Sequence, residues 1–224
     1  MPFIPVESYI AGVSLGLWRI SEPESFFLGR LSLYENEVRR LEEISHPMAR
    51  LEWLSSRLCL KELLKINHEV ESLNFLDGRP YLSDHSYRIS YSHSTKYAAA
   101  IASKQKAVAI DLEYLKRNRN LETRFLFMND EELEAYEESR QRLLFFLIWS
   151  SKETLYKVYG KRGIAFKHNI HIDVKNVEFG RKGKLNGSVT ENGLRSEYEI
   201  HYRFYPELVL TYTASLVREP EVRA

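Results

Sequence analysis

Three carboxylates stand where they could work together. Asp111 and Glu113 lie two apart in Val108-Ala109-Ile110-Asp111-Leu112-Glu113. Side chains of an extended strand alternate between its faces, so Asp111 and Glu113 share one face, roughly 6.5–7 Å apart at Cα, and Val108, Ile110 and Leu112 take the other. Neighbouring carboxylates repel unless a cation lies between them. A hard ion such as Mg2+ takes one or two carboxylates together with phosphate oxygens and water. Ordinary surface carboxylates produce the same pattern, so the pair alone does not define a site. The third carboxylate is Glu153, in Trp149-Ser150-Ser151-Lys152-Glu153-Thr154-Leu155-Tyr156-Lys157. On a helix Glu153 and Lys157 are neighbours on one face, which also describes a plain surface ion pair. The apolar run Leu143 to Trp149 directly before them points instead to charges carried into a confined place.

Groups suited to phosphate lie upstream. Ser92-His93-Ser94 ends a predicted strand, where an imidazole between two hydroxyls could donate to phosphate oxygens. Asp77-Gly78-Arg79-Pro80 is a turn. The single cysteine, Cys59, sits in a helical run and is expected to be an inert core residue.

The elements that must position these groups are legible in outline. Gly12 to Ile20 is expected to form a strand, Leu31 to Ile44 a helix and Met48 to Ile66 a second helix. Strands at Tyr87 to Tyr91, Tyr97 to Ala102 and Ala107 to Leu112 have short connections, which predicts an antiparallel meander. In it the first and third strands run the same way and bring His93 and Asp111 to one edge. Asp130 to Tyr159 reads as one long helix, with Asn129 or Asp130 as N-cap and Gly160 and Gly163 ending it. Alternation at Ile170, Ile172 and Val174, from Tyr198 to Phe204, and at Leu208 and Leu210 predicts three or four further antiparallel strands. Each half thus holds helices followed by strands: an α+β fold with two similar subdomains, each an antiparallel sheet packed with helices, related by a pseudo-twofold axis and divided at 1–106 and 107–224.

Composition narrows the function classes. The 224 residues are 44% hydrophobic and 28% charged, which suits a folded globular chain. Thirty-two basic and 31 acidic side chains leave a net charge of +1, against the basic excess of a nucleic-acid binder. Basic clusters at Lys104 to Lys106, Lys116 to Arg119 and Arg181 to Lys184 are either solvated loops or a surface for an acidic partner. No apolar run reaches the ~20 residues of a membrane span, and no targeting segment is visible, so a cytoplasmic protein with no membrane association is expected. A metal-dependent nuclease fits poorly, because the lysines follow Glu113 and Glu153 by three and four positions and not by two.

The ordered motifs resemble the 4′-phosphopantetheinyl transferase superfamily, whose pattern is a G-I/V-D strand followed by W/F-S-x-K-E-x-x-x-K on a helix. Here these are Ala109-Ile110-Asp111-Leu112-Glu113 and Trp149 to Lys157, with Glu153 lying 42 positions after Asp111. Gly78-Arg79-Pro80 is similar to the family's G-K/R-P turn, Ser92-His93-Ser94 to its S-H-S block, and Arg57 to a helix arginine of many members. Ala109 departs from the family's glycine, and Ser90 from an asparagine that often stands two positions before the S-H-S block. The chain length resembles the larger, surfactin-synthetase-activating type, which implies a monomer with its site in the cleft between the halves.

The resemblance implies transfer of 4′-phosphopantetheine from coenzyme A to a serine of an apo acyl or peptidyl carrier protein, with release of 3′,5′-ADP. It implies Mg2+ (or Mn2+) held by Asp111, Glu113 and Glu153, with Glu153 as base and Lys157 neutralising the leaving phosphate. Arg57, Arg79, Ser92, His93 and Lys152 would hold the coenzyme A phosphates. The alternative is a non-catalytic coenzyme A or carrier-protein binding module on the same fold.

Overall fold

Alternating and helical apolar patterns build two sheets, each with a helical layer. The structure, a computed structural model, describes residues 3–64, 73–76, 79–82, 84–139, 141–175, 177, 179 and 181–216. The N-terminal half runs β1 (Phe3–Val6), β2 (Val13–Arg19), α1 (Glu24–Leu28), α2 (Glu35–Glu42), α3 (Pro47–Leu64), β3 (Leu73–Leu76), β4 (Arg79–Leu82), β5 (Arg88–Ser94) and β6 (Tyr97–Ser103). The C-terminal half begins with β7 (Lys106–Tyr114) and passes a 3-10 turn (Leu121–Thr123) into α4 (Arg124–Phe127), α5 (Asp130–Ser139), α6 (Arg142–Tyr159) and α7 (Phe166–Asn169). It ends in β8 (Ile170–Asp173), β9 (Lys182–Glu191), β10 (Leu194–Phe204) and β11 (Leu208–Leu216). One antiparallel sheet has the order β1-β2-β6-β5 and the other β7-β11-β10-β9-β8, while β3 and β4 pair with each other.

The layers follow from alternation. In β2 and β6, Leu15, Leu17, Ala99 and Ile101 face a central cluster, which they share with Val108, Ile110, Leu112, Leu208 and Leu210 of the second sheet. The opposite face of the first sheet, with Trp18, Ala98, Ala100 and Ala102, packs on Leu54, Leu58 and Cys59 of α3. The opposite face of the second sheet, with Ala109, Val209, Ile200 and Val189, packs on Phe145, Phe146, Ile148 and Leu155 of α6. The order is therefore helix, sheet, sheet, helix, an α+β fold of two subdomains. Asp111 and Glu113 alternate with the central-cluster residues and so fall on the α6 side, as the strand pattern requires. Among the described residues no helix is long and apolar enough to cross a membrane.

Three expectations need correction. The meander stops after β5 and β6: β7 leaves that sheet and pairs with β11, placing Asp111 opposite Thr211 and Glu113 opposite Val209. A short connection permits a hairpin but does not enforce one, and β7 buries both of its faces between the two cores. The expected helix from Leu31 to Ile44 is confined to α2, because Tyr34 is extended and caps it together with Glu37. The expected long helix is two: Gln141 is extended (φ −99°, ψ 113°) and its N–H donates to Ser139 Oγ at 3.2 Å. The break separates polar α5 from apolar α6, which must enter the core at another angle. The second helix expected to Ile66 is seen as α3, and its last two residues lie outside the described residues, as do Asp77 and Gly78 of the expected turn.

Candidate active site

Edge strands β5 and β7 meet at the seam between the subdomains, and alternate serines of β5 bridge them. Ser90 Oγ accepts from Ile110 N at 3.4 Å and Ser94 Oγ from Tyr114 N at 3.2 Å. Between them Ser92 Oγ donates to Asp111 Oδ1 at 2.8 Å. Ser92, and not the expected His93, is thus the β5 residue that meets Asp111; His93 takes the other face of the strand, toward Glu52 of α3.

Asp111 is buried and held from three sides. Lys157 Nζ donates to Oδ1 at 2.7 Å and also to Ile110 O at 3.1 Å. Ser150 Oγ donates to Oδ2 at 2.8 Å. Glu113, two residues on, pairs with Arg119 at 3.0 Å, and that guanidinium lies 4.5 Å over the Trp149 ring. Burial, and then repulsion from Asp111, push the Glu113 carboxyl up to about 7 in spite of Arg119. Burial and Asp111 also raise Glu153, against the pull of Lys157 and Arg119. The structure therefore brings Asp111, Glu113, Glu153 and Lys157 into one electrostatic unit.

Lys157 also lines a cleft of ≈ 880 Å³ formed by β4, β5, the start of β7 and the end of α6. Arg79, Arg88, Lys161 and Arg162 line it too, and no described lining residue is acidic. Arg79 Nη2 donates to Tyr159 O at 2.7 Å and so caps the C-terminus of α6 from the other subdomain. Gly160, in the left-handed region at φ 68°, permits this approach: a Cβ there would overlap the guanidinium. His93 is exposed at the seam with Nδ1 3.3 Å from Glu52 Oε2.

Three expected phosphate ligands are already engaged by the protein. Lys152 is fully buried, with Nζ 2.7 Å from Glu132 and donating to Phe166 O at 2.9 Å and Ile170 O at 2.6 Å. Adjacent helix positions differ by about 100° in direction, so Lys152 leaves α6 on a different side from Glu153. Arg57 is buried against Glu37 at 3.2 Å and lies over the Trp53 ring. Ser92, in turn, spends its proton on Asp111.

Residues 107–216, which contain Asp111, Glu113, Glu153 and Lys157, match the sequence model of the 4′-phosphopantetheinyl transferase superfamily. The chain is also 28% identical over 176 residues to the 4′-phosphopantetheinyl transferase HetI of Nostoc sp. (strain PCC 7120), covering 70% of this chain and 72% of HetI. It is 28% identical over 145 residues to slr0495 of Synechocystis sp. (strain PCC 6803), provisionally named a 4′-phosphopantetheinyl transferase, covering 58% of this chain and 57% of that protein. Over residues 107–216 the chain is thus similar to the 4′-phosphopantetheinyl transferase superfamily.

The donor set fits a hard divalent cation by its chemistry. Glu113 Oε2 is buried and meets no hydrogen-bond donor among the described residues. Burial first, and the neighbouring charge of Asp111 second, raise the pKa of both Glu113 and Glu153. Among the described residues no three acidic, imidazole or thiol groups close to metal-ligand spacing; Asp111 and Glu113 each turn toward their own cation. Ala109, which stands at the family's glycine, is fully buried on the α6 side and packs in the core there. Arg119 and Ser150 are the contacts that sequence reasoning missed. Arg119 had a signal as part of a basic cluster, and Ser150 as the serine of the helix motif.

Proposed function

We propose that the protein transfers 4′-phosphopantetheine from coenzyme A to a serine hydroxyl of an apo acyl or peptidyl carrier protein and releases 3′,5′-ADP. The observation that carries this reading is Lys157, which joins a carboxylate cluster to a basic cleft between two subdomains. A cleft rich in Arg and Lys and without acidic lining suits a polyanion such as the 3′-phosphate and pyrophosphate of coenzyme A. Arg79 and His93 are the remaining upstream candidates for those phosphates.

In the proposed step the carrier serine oxygen bonds to the pantetheine-side phosphorus, and the phosphorus–oxygen bond to the 3′,5′-ADP leaving group breaks. Such a transfer depends on positioning and charge neutralisation more than on covalent catalysis. Asp111, Glu113 and Glu153 would hold Mg2+ or Mn2+, which supplies charge neutralisation to the pyrophosphate oxygens when bound. Glu153 takes the serine proton, and its raised pKa brings its basicity toward neutral pH. Lys157 faces the charge growing on the leaving phosphate. Both halves of the site lie on one chain, which favours a monomer, and a cytoplasmic location agrees with the substrates. Following 3′,5′-ADP release from coenzyme A with Mg2+, with and without an apo carrier, tests the reading: carrier-dependent release is expected. No release with several apo carriers from the folded protein would overturn it.

A further inference from the structure

Asp111 is tied into the C-terminal subdomain by a run of buried hydroxyls that the proposed reaction does not use. Ser150 Oγ, which donates to Asp111 Oδ2, lies 2.8 Å from Thr211 Oγ1, and Thr211 Oγ1 lies 2.7 Å from Thr154 Oγ1. All three residues are fully buried. Thr211 is the cross-strand partner of Asp111 in the β7–β11 ladder. Ser150 and Thr154 are one turn apart on α6, so both face β11.

Counting protons gives the run a direction. Each hydroxyl carries one proton, and a carboxylate oxygen only accepts. The Ser150 proton is committed to Asp111, so Ser150 Oγ can only accept from Thr211, and Thr211 Oγ1 then accepts from Thr154. Thr211 Oγ1 also donates to Ser150 O at 2.9 Å and Thr154 Oγ1 to Thr211 O at 3.3 Å, so each threonine proton lies between a hydroxyl and a carbonyl acceptor. Packing alone does not call for this arrangement. Valine would fill each threonine's volume, and burying a hydroxyl is costly unless it is hydrogen-bonded. Thr211 also stands beside Leu210 and Tyr212 in a strand otherwise built for the core.

We propose that Thr211 and Thr154, acting through Ser150, are positioning residues that fix the Asp111 carboxylate for cation binding. Oδ2 is anchored to the C-terminal subdomain by the hydroxyl chain, and Oδ1 to the N-terminal subdomain by Ser92. The carboxylate is thereby clamped across the seam. This rests on the reading of Asp111 as a cation ligand.

The test is Mn2+ titration of the full chain, followed by the electron paramagnetic resonance of the free ion, for wild type, Thr211→Val, Thr211→Ser and Ser150→Ala. Groups that orient a metal ligand typically change affinity by 10–100-fold, so Thr211→Val and Ser150→Ala are expected to weaken Mn2+ binding at least about tenfold. Thr211→Ser restores it. The double variant Ser150→Ala/Thr211→Val binds no more weakly than Ser150→Ala, because Thr211 acts through Ser150. In transfer assays the Mg2+ requirement rises in parallel, and the KM for coenzyme A does not. A folded Thr211→Val that binds Mn2+ as wild type does, with only a lower melting temperature, overturns the proposal and reduces the chain to packing. If Thr211→Val does not fold, Thr154→Val carries the same comparison. Wild type that binds no Mn2+, alone or with coenzyme A, also overturns it. Wild type that binds Mn2+ but transfers nothing defeats the functional reading instead, and the Mn2+ series still decides the hydroxyl chain.

Discussion

At the scale of single residues, Glu113 bears the clearest cost of the site. Its folded pKa of about 7 stands above the ordinary value of 4.5 because burial and Asp111 outweigh Arg119. A raised carboxyl favours the folded state most at low pH. Its contribution is fully present below the unfolded pKa and is lost as pH rises through about 7. In metal-free protein the melting temperature should therefore fall between about pH 4.5 and 7 more steeply in wild type than in Glu113→Gln. Added Mg2+ should raise it more at pH 8 than at pH 5, since the ion needs the ionised form. Equal slopes in thermal melts of the two proteins would contradict this. Glu153→Gln, with its carboxyl lost as a base, should lower kcat by ~10²–10⁴ and leave the KM for coenzyme A little changed. These carboxylates were legible because strand alternation and the four-residue helix spacing are local. Arg119 was not, because its contact with Glu113 depends on how the loop after β7 folds back onto Trp149.

At the scale of elements, α6 delivers Glu153 and Lys157 to the seam, and its other faces hold it there. Lys152 anchors it through Glu132, whose Oε1 accepts from Ile172 N at 2.8 Å and whose Oε2 accepts from Asn129 N at 2.9 Å. Burial lowers the Lys152 pKa, with Glu132 opposing. Removing one partner of a buried pair typically costs about 3–5 kcal/mol, so Lys152→Met should show a loss of that order in urea unfolding. Restoring a neutral partnership with Glu132→Gln should recover part of it. A change of less than about 1 kcal/mol would show that the pair is not the anchor. The motif could not reveal this role, since a run of letters does not say which face of a helix each residue occupies. The helix break at Gln141 was equally hidden: both segments have helical spacing, and only the burial of α6 separates them. Gly160, by contrast, was legible as a terminator. Its second duty, making room for Arg79, depends on the opposite subdomain.

For the whole molecule, the two subdomains share one central core and enclose the cleft at their seam, so the site exists only when both are folded. The α+β plan was readable from repeated helices and strands. The departure of β7 to the second sheet was not, because it is decided by tertiary pairing with β11. If the basic cleft holds coenzyme A, its KM should rise as ionic strength shortens the Debye length from about 10 Å at 0.1 M. Arg79→Ala should raise that KM and flatten the salt dependence, and an unchanged KM would remove Arg79 from the phosphate site. The central claim is that Asp111, Glu113 and Glu153 serve phosphopantetheine transfer at this seam. Its most direct test is the intact mass of an apo carrier protein incubated with coenzyme A, Mg2+ and either wild type or Asp111→Ala. A single phosphopantetheine adduct with wild type and none with folded Asp111→Ala is the predicted result; near-normal adduct formation by Asp111→Ala under saturating Mg2+ would contradict the account.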